Sequence, residues 1–189
     1  MITSEPRIPF TYEDYRTLPE DMSRRYELLH GELFMVPAPT TRHQRISRRL
    51  EIILDRHITH NSLGELFHAP IDVILGQGGE REVVQPDIIF IADSRRDIVK
   101  PHGIEGAPDL VVEILSAGTA ERDRGYKRTL YARHGVREYW IVDPDARTME
   151  IHVIGRDGYD APTTFQPDAI LTSALFPGLD IPLADILAD

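Results

Sequence analysis

Aliphatic runs and helical periodicities alternate along this chain. Three runs of branched aliphatic residues are typical of strands buried on both faces: 70–76, 86–92 and 108–116. Two further apolar runs follow at 138–143 and 149–154. Helical spacing occurs over 40–61, where a threonine suits the start and Gly64 lies beyond the end, and over 120–134, which stops at Gly135. Strands that alternate with helices in this way predict an α/β fold.

Turn signals divide the rest of the chain. His30-Gly31 is a tight-turn signal between two apolar stretches and predicts an N-terminal β-hairpin. We expect a short helix over 11–18, and a turn followed by a short terminal helix over 175–187. Since no repeat or long linker interrupts the sequence, the pattern predicts one α/β domain over residues 1–189.

Composition excludes several classes of protein. The chain has 189 residues, of which 41% are hydrophobic and 28% charged, as in an ordinary globular protein. No apolar run approaches the ~20 residues that cross a bilayer. With no cysteine, the chain has no disulfide, thiolate zinc site or cysteine nucleophile. The N-terminus also lacks the profile of a secretory signal, so we expect a cytoplasmic location.

Charge is distributed unevenly. The formal net charge of −10 argues against a surface that is basic throughout and coated for nucleic acid. Residues 121–137, however, contain six bases and two acids. A basic segment in an acidic protein is compatible with a local anion site.

Acidic residues in the aliphatic runs are the first candidates for chemistry. Glu113 interrupts the run 108–116, and a carboxylate there is costly to bury unless it is paired, protonated or bound to a metal. Asp87 begins another buried run, and adjacent strands lie ~4.8 Å apart, so the two acids could hold one hard cation. Asp109 is four residues from Glu113 on the same strand, ~13 Å away, and is better explained as the residue that starts the strand. A structural ion pair between Glu113 and an arginine of the next helix remains the alternative.

At several separate places the sequence resembles the Uma-two family. The run from 107 to 144 is the most specific part. Further matches are TYEDYRTLPED, RYELLHGELFMV, His43 at the opening of a helix, APIDVILG, VQPDIIFIA and LFPGLDIPL. The resemblance implies the restriction-endonuclease-like PD-(D/E)XK fold, an α/β fold in which helices flank a mixed β-sheet. It also implies divalent-metal chemistry on phosphodiesters and a homodimer.

The resemblance further implies a catalytic site built on two acids. Asp87 matches the aspartate that opens the motif strand, and Glu113 matches the second acid. The lysine expected two residues later is absent, because Leu115 occupies that position, and Lys127 on the next helix corresponds to the lysine that substitutes in this family. The carboxylates would hold Mg²⁺, or Mn²⁺ in its place. Lys127 would orient the attacking water and offset charge on the phosphate.

Other matching or neighbouring residues extend this predicted site. Glu27 matches an early acid that completes the metal site in this fold, and His43 matches a residue that could polarise a phosphate or shuttle a proton. Three arginines near Lys127 suit phosphate oxygens and are expected to line the same entrance: Arg122, Arg124 and Arg128. Asp72 is either a third ligand or a pairing partner. For each of these residues an ordinary structural or solvated role is the alternative.

The amino-acid composition gives separate support to a functional role for Lys127. The chain has 19 arginines but only two lysines, Lys100 and Lys127. A lysine in so arginine-rich a sequence is compatible with a need for a compact ammonium or a tunable pKa. An ordinary exposed helix lysine is the alternative.

Three functions fit these observations. The first is a metal-dependent endonuclease that hydrolyses phosphodiester bonds of nucleic acid, with DNA the favoured substrate. The second is a non-cleaving nucleic-acid- or protein-binding module on a nuclease fold, which Leu115 and the acidic net charge favour. The third is a non-nucleolytic enzyme that uses the same carboxylates, such as a phosphatase.

Overall fold

Five α-helices and fourteen strands build the fold in the part of the chain that the structure describes. The computed structural model describes residues 8–19 and 25–188. Its helices are α1 (Tyr12–Arg16), α2 (Thr41–Asn61), α3 (Ala120–Arg122), α4 (Arg128–His134) and α5 (Leu183–Leu187), with a π-helical turn at Asp123–Lys127 between α3 and α4 and 3₁₀ turns at Gly78–Glu80 and Asp93–Ile98. Every helix in the described ranges is too short or too polar to cross a membrane.

The strands form two six-stranded sheets and a two-stranded ribbon. Their bounds are β1 (Arg25–Leu29), β2 (Glu32–Val36), β3 (Gly64–His68), β4 (Val73–Leu75), β5 (Glu82–Val84), β6 (Ile88–Ala92), β7 (Val99–Lys100), β8 (Gly103–Glu105), β9 (Leu110–Ile114), β10 (Glu138–Asp143), β11 (Thr148–Val153), β12 (Thr163–Phe165), β13 (Ile170–Thr172) and β14 (Asp180–Pro182). The first sheet has the order β2-β1-β5-β4-β8-β7, the second β12-β11-β10-β9-β6-β3, and β13 pairs with β14. Each large sheet is mixed, since β4–β8 and β9–β10 are parallel pairs within otherwise antiparallel ladders.

Two apolar layers lie on opposite faces of the second sheet. On one face, the apolar stripe of α2 packs against β6, β9 and β10 together with the C-terminal segment, in a cluster centred on Leu50, Leu54 and Trp140. On the other face, the same strands pack against the first sheet and α4, through residues such as Val111, Leu130 and Tyr139. Trp140 and Tyr139 are therefore core residues.

Local sequence explains where the main elements begin and end. His30 and Gly31 both have positive φ, 50° and 74°, which a two-residue hairpin turn requires and which glycine adopts without strain. The hydroxyl of Thr40 accepts a hydrogen bond from the His43 amide and caps α2. Helix α4 ends at Gly135, which takes the left-handed conformation at φ 80°.

The observed fold confirms the predicted α/β class, the hairpin, both long helical segments and all five strand segments. It differs in having two large sheets where one was expected. Strands β3, β5, β7 and β8 were not predicted from the sequence. These strands are short and mostly mixed in polarity, so they carry little periodicity. The segment 120–134 is also not one regular α-helix, because the π turn interrupts it.

Candidate active site

Asp87 and Glu113 come from neighbouring central strands. Strands β6 and β9 are antiparallel, with Ile88 paired to Val112, so the next position outward brings Asp87 beside Glu113 on one face of the sheet. The Asp87 amide donates to the Val112 carbonyl at 3.1 Å, and Asp87 Oδ2 accepts the Ile114 amide at 2.7 Å. The backbone of β9 thus holds the Asp87 main chain with one hydrogen bond and its carboxylate with the other.

Lys127 is buried among three carboxylates. Its Nζ lies 2.8 Å from Glu27 Oε1, 2.9 Å from Glu113 Oε1 and 3.3 Å from Asp123 Oδ1. The side chain is only 4% exposed. Since charge-assisted hydrogen bonds of this kind are short and strong, the ammonium has a fixed position between β1, β9 and the π turn.

The helical segment presents three site residues at four-residue intervals: Asp123, Lys127 and Tyr131. This spacing places them on one face. The Tyr131 hydroxyl donates to Glu113 Oε1 at 2.8 Å, the same oxygen that contacts Lys127. The Asp123 carbonyl accepts a hydrogen bond from the Tyr139 hydroxyl at 3.0 Å, which ties the π turn to β10.

Burial and mutual repulsion perturb these groups. Burial raises the pKa of Glu113 well above its usual range; Lys127 opposes that rise, whereas Asp123, Asp87 and Glu27 add to it. Burial acts to lower the pKa of Lys127, but the carboxylates of Glu113, Glu27 and Asp123 outweigh it and raise that pKa. Lys127 is therefore a permanent ammonium and not a base.

His43 lies at the start of α2, next to Asp87. Its Nε2 is 3.1 Å from Asp87 Oδ2, and because a carboxylate can only accept, Nε2 carries the proton. Within the described ranges, His43 Nδ1 is buried and has no hydrogen-bond partner. This nitrogen can therefore exchange a proton or a hydrogen bond with a bound molecule.

The acids, Lys127 and His43 border one cavity of about 470 Å³, whereas Tyr131 does not line it. Its walls come from β1, the segment 36–40, the start of α2, the segment around Gln85, the end of β9 and the helical segment that follows. Six of the residues predicted for the site line it: Glu27, His43, Asp87, Glu113, Arg122 and Lys127. Leu115 lines it too, and is buried in the apolar layer where a strand lysine was expected.

Of the three predicted substrate-binding arginines, only Arg122 reaches this cavity. Its guanidinium lies over the Phe34 ring, 5.0 Å from the ring centroid, and 3.7 Å from Glu27 Oε2. Arg124 instead pairs with Asp143, at 2.9 Å, and with Glu150. The structure thus differs from the expectation that Arg124 lines the entrance.

Arg128 also lies away from the cavity. Its Nε donates to His152 Nδ1 at 3.2 Å, and its guanidinium lies 6.0 Å from the centroid of the Tyr159 ring. The side chains of Arg124 and Arg128 point away from the cavity because the helix turns the face with Lys127 and Tyr131 towards the site. Arg124 and Arg128 lie on another face and contact residues of β10 and β11.

The two other acids considered from the sequence have structural partners. Asp109 is fully buried, accepts the Ala92 amide at 2.9 Å and pairs with Arg95 and Arg137. Asp72 accepts hydrogen bonds from Tyr15 and Gln85. Neither lines the cavity that contains Lys127.

Sequence reasoning missed Asp123, Tyr131 and Gln85. The backbone amide of Gln85 donates a hydrogen bond to Glu27 Oε1 at 3.0 Å, so Gln85 helps to hold the acid that faces Lys127. The spacing of Asp123, Lys127 and Tyr131 was a usable signal for a shared helix face. Nothing in the sequence around Gln85 indicated its contact.

The acids fit a divalent cation in part. Among the described residues, no three histidine or acidic side chains are arranged to hold a metal by themselves. However, within the described ranges Asp87 Oδ1 and Glu113 Oε2 make no hydrogen bond. There, Glu27, Glu113 and Asp123 share two permanently charged partners, Lys127 and Arg122, and Asp87 pairs with neither. Two carboxylates suffice for Mg²⁺, which usually keeps several waters and takes substrate phosphate oxygens as further ligands.

The mixed sheets, with acids at the ends of two adjacent central strands and a lysine beside them, define a protein of the restriction-endonuclease-like class. The chain belongs to the Uma2 family, described as "Putative restriction endonuclease", whose model matches residues 12–184. The resemblance seen in the sequence is confirmed.

Two further proteins resemble this chain. "Uncharacterized protein slr1290" of Synechocystis sp. is 26% identical over 162 residues, which cover 84% of this chain and 83% of the relative. A crystal structure described as "a putative nuclease belonging to DUF820" from Anabaena variabilis matches with a TM-score of 0.79 and 21% identity, over 95% of this chain and 98% of that one. At that identity, the structural likeness establishes the fold. Family and fold together support a nuclease function.

Proposed function

We propose that this protein is a divalent-metal-dependent endonuclease that hydrolyses phosphodiester bonds of nucleic acid, with DNA as the favoured substrate. The observation that carries the proposal is the fixed Lys127 ammonium beside Glu113, on a cavity wall that Asp87 also forms. In this proposal the ammonium takes the part of the motif lysine, although it comes from a helix and not from the strand. The restriction-endonuclease description of the family supports DNA over RNA.

The proposed site divides its roles among a few residues. Asp87 and Glu113 would hold Mg²⁺ or Mn²⁺, which when bound supplies Lewis-acid polarisation of the phosphodiester. Glu27 is assigned to holding Lys127, because Lys127, Gln85 and Arg122 surround its oxygens. This assignment replaces the metal-ligand role that the sequence suggested for Glu27.

Three other side chains face the substrate in this proposal. Lys127 offsets the negative charge that grows on the phosphate during attack, because its raised pKa keeps it charged. Arg122 Nε is buried and lacks a hydrogen-bond partner among the described residues, so it can donate to a phosphate oxygen. His43, oriented by Asp87, can take up or release a proton through Nδ1.

Cleavage of plasmid DNA and of RNA, with Mg²⁺ or Mn²⁺ and with EDTA, tests this function. Asp87→Asn and Glu113→Gln preserve side-chain shape and should abolish cleavage while circular dichroism shows an intact fold. Asp97→Asn is the control, since Asp97 is exposed and does not line the cavity. Isothermal titration of Mn²⁺ should give binding heat for the wild type and little for Asp87→Asn.

Full cleavage by either acid variant would overturn the proposal. A wild-type protein that neither binds Mn²⁺ nor cuts nucleic acid would favour the non-cleaving binding module instead. The homodimer implied by the family resemblance is part of the same proposal, and light scattering in solution measures it directly.

A further inference from the structure

A second cavity adjoins the candidate active site. It has a volume of about 370 Å³ and shares four wall residues with the first cavity: Arg25, Pro39, His43 and Asp87. We refer to it as the flanking cavity. Since Asp87 belongs to both walls, a polymer with one linkage at Asp87 can extend directly into the flanking cavity.

One face of α2 forms a wall of the flanking cavity. It presents Gln44, Ser47, Arg48 and Glu51, which follow the spacing of a single helical face. Glu51 is paired with His68, at 2.9 Å between Oε1 and Nδ1. The guanidinium groups of Arg48 and Arg25, by contrast, make no hydrogen bond or ion pair with any part of the chain that the structure describes.

The charge of α2 differs from that of the protein. The whole chain carries −10, whereas α2 contains five arginines and two acids. A polyanion is repelled by most of an acidic protein and attracted to such a basic face. Two unpaired guanidinium groups on the wall of a cavity are well suited to phosphate oxygens, which they can contact through two parallel hydrogen bonds.

We propose that the flanking cavity binds the phosphate group next to the scissile one in a nucleic-acid strand, with Arg48 and Arg25 as its ligands. The proposal rests on the nuclease function above. His43 and Arg48 are five residues apart on α2, which is about 7.5 Å along the helix axis. This separation is comparable with that between consecutive phosphates of one strand.

Arg48→Gln tests the proposal, and Arg45→Gln is its matched control. Arg45 lies on the same helix, is exposed like Arg48, has no partner in the described ranges and lines neither cavity. Two substrates are compared: a fluorescent DNA oligonucleotide, and bis(p-nitrophenyl) phosphate, which contains one phosphodiester and no neighbouring phosphate. Binding of the oligonucleotide is measured by anisotropy without metal, and hydrolysis of both with Mn²⁺.

Arg48→Gln should raise the Kd for the oligonucleotide about tenfold, as expected for the loss of one charged hydrogen-bonding partner. The slope of log Kd against log salt should fall by about one. Hydrolysis of bis(p-nitrophenyl) phosphate should not change, and Arg45→Gln should bind like the wild type. Arg25→Gln should reproduce the effect of Arg48→Gln.

A change on the substrate side separates a specific contact from general attraction. A neutral methylphosphonate, placed at each linkage of the oligonucleotide in turn, should weaken wild-type binding most at one linkage, and Arg48→Gln should be insensitive there. Three outcomes would overturn the proposal. Arg48→Gln and Arg45→Gln could bind the oligonucleotide equally well, or the wild type could fail to bind it. Alternatively, the losses of affinity caused by Arg48→Gln and by the methylphosphonate at that linkage could add up. If neither substrate is hydrolysed but Arg48→Gln still weakens binding, the nuclease function fails and the phosphate site stands.

Discussion

Asp72 shows how burial changes a single carboxyl group in this protein. Its Oδ1 accepts hydrogen bonds from the Tyr15 hydroxyl at 3.0 Å and from Gln85 Nε2 at 2.8 Å. Burial nevertheless raises the pKa of Asp72, with Glu27 adding to the rise, while Gln85, Tyr15 and His102 oppose it. The folded state therefore binds the Asp72 proton more tightly than the unfolded chain does.

The raised pKa of Asp72 predicts a pH-dependent effect of Asp72→Asn. Above the folded-state pKa, the ionised carboxylate lowers the free energy of unfolding, and this cost disappears as the pH falls towards the unfolded value of about 3.9. Asp72→Asn should therefore be more stable than the wild type at pH values above the folded-state pKa, by a margin that shrinks on acidification. Urea unfolding at a series of pH values measures the margin. A margin independent of pH, or a variant less stable throughout, would contradict this account.

At the scale of elements, the cation of the site comes from a helix and the acids come from strands. Lys127 is the last residue of the π turn, Glu113 lies in β9 and Glu27 in β1. A π turn adds a residue to the helical turn and is common at functional sites. Here it places Asp123 and Lys127 together against the sheet, so the position of the ammonium depends on how the helix docks.

Lys127→Met should lower the free energy of unfolding by about 3–5 kcal/mol, because it leaves Glu27, Glu113 and Asp123 buried without their shared cation. Adding Glu113→Gln to that variant should recover part of the loss. Lys100→Met is the control, since Lys100 is the other lysine of the chain and is exposed. Urea unfolding followed by circular dichroism gives the comparison. Equal stability of Lys127→Met and Lys100→Met would show that the carboxylates are not held by the ammonium.

The sequence was informative where a pattern extends over many residues. Helix α2 has apolar residues at helical spacing over 21 residues, and strands β6, β9 and β10 lie in apolar runs, so the sequence pattern predicts them. Strands of two or three residues, such as β7 and β5, form because a neighbouring strand pairs with them, and periodicity over so few residues carries no signal.

Site residues divide in a similar way. Asp87, Glu113 and Lys127 could be located through family motifs, and the structure places all three on one cavity. Arg124 could not be placed correctly, because which face of the helix meets the cavity is decided by tertiary packing. Tyr131 was not predicted as a site residue, and only the structure shows that its hydroxyl donates a hydrogen bond to Glu113.

At the scale of the whole molecule, the candidate site joins parts of the chain that are far apart in sequence. Its cavity is lined by residues from position 25 to position 145, contributed by both sheets, α2 and the helical segment after β9. A ligand that binds there contacts only the folded state, because the unfolded chain does not bring Asp87 and Glu113 together. Binding must therefore stabilise the whole fold.

Mn²⁺ or Mg²⁺ should consequently raise the free energy of unfolding, by about 2.7 kcal/mol at a metal concentration one hundred times Kd. The rise should be absent in EDTA and strongly reduced in Asp87→Asn. Thermal unfolding at constant ionic strength, with a potassium salt in place of the divalent metal, isolates specific binding from screening. An equal rise in the wild type and in Asp87→Asn would place the metal elsewhere on the protein.

The origin of the ammonium in a helix has a consequence for fluctuations of the native state. Local opening in proteins releases contiguous segments, and a segment such as 120–134 can detach while the sheet beneath it stays paired. Each such excursion would carry away Asp123, Lys127, Tyr131 and Arg122 at once and leave Glu113 exposed without its donors. The rate at which the amide hydrogens of 120–134 exchange with deuterium therefore measures how often this segment detaches from the site.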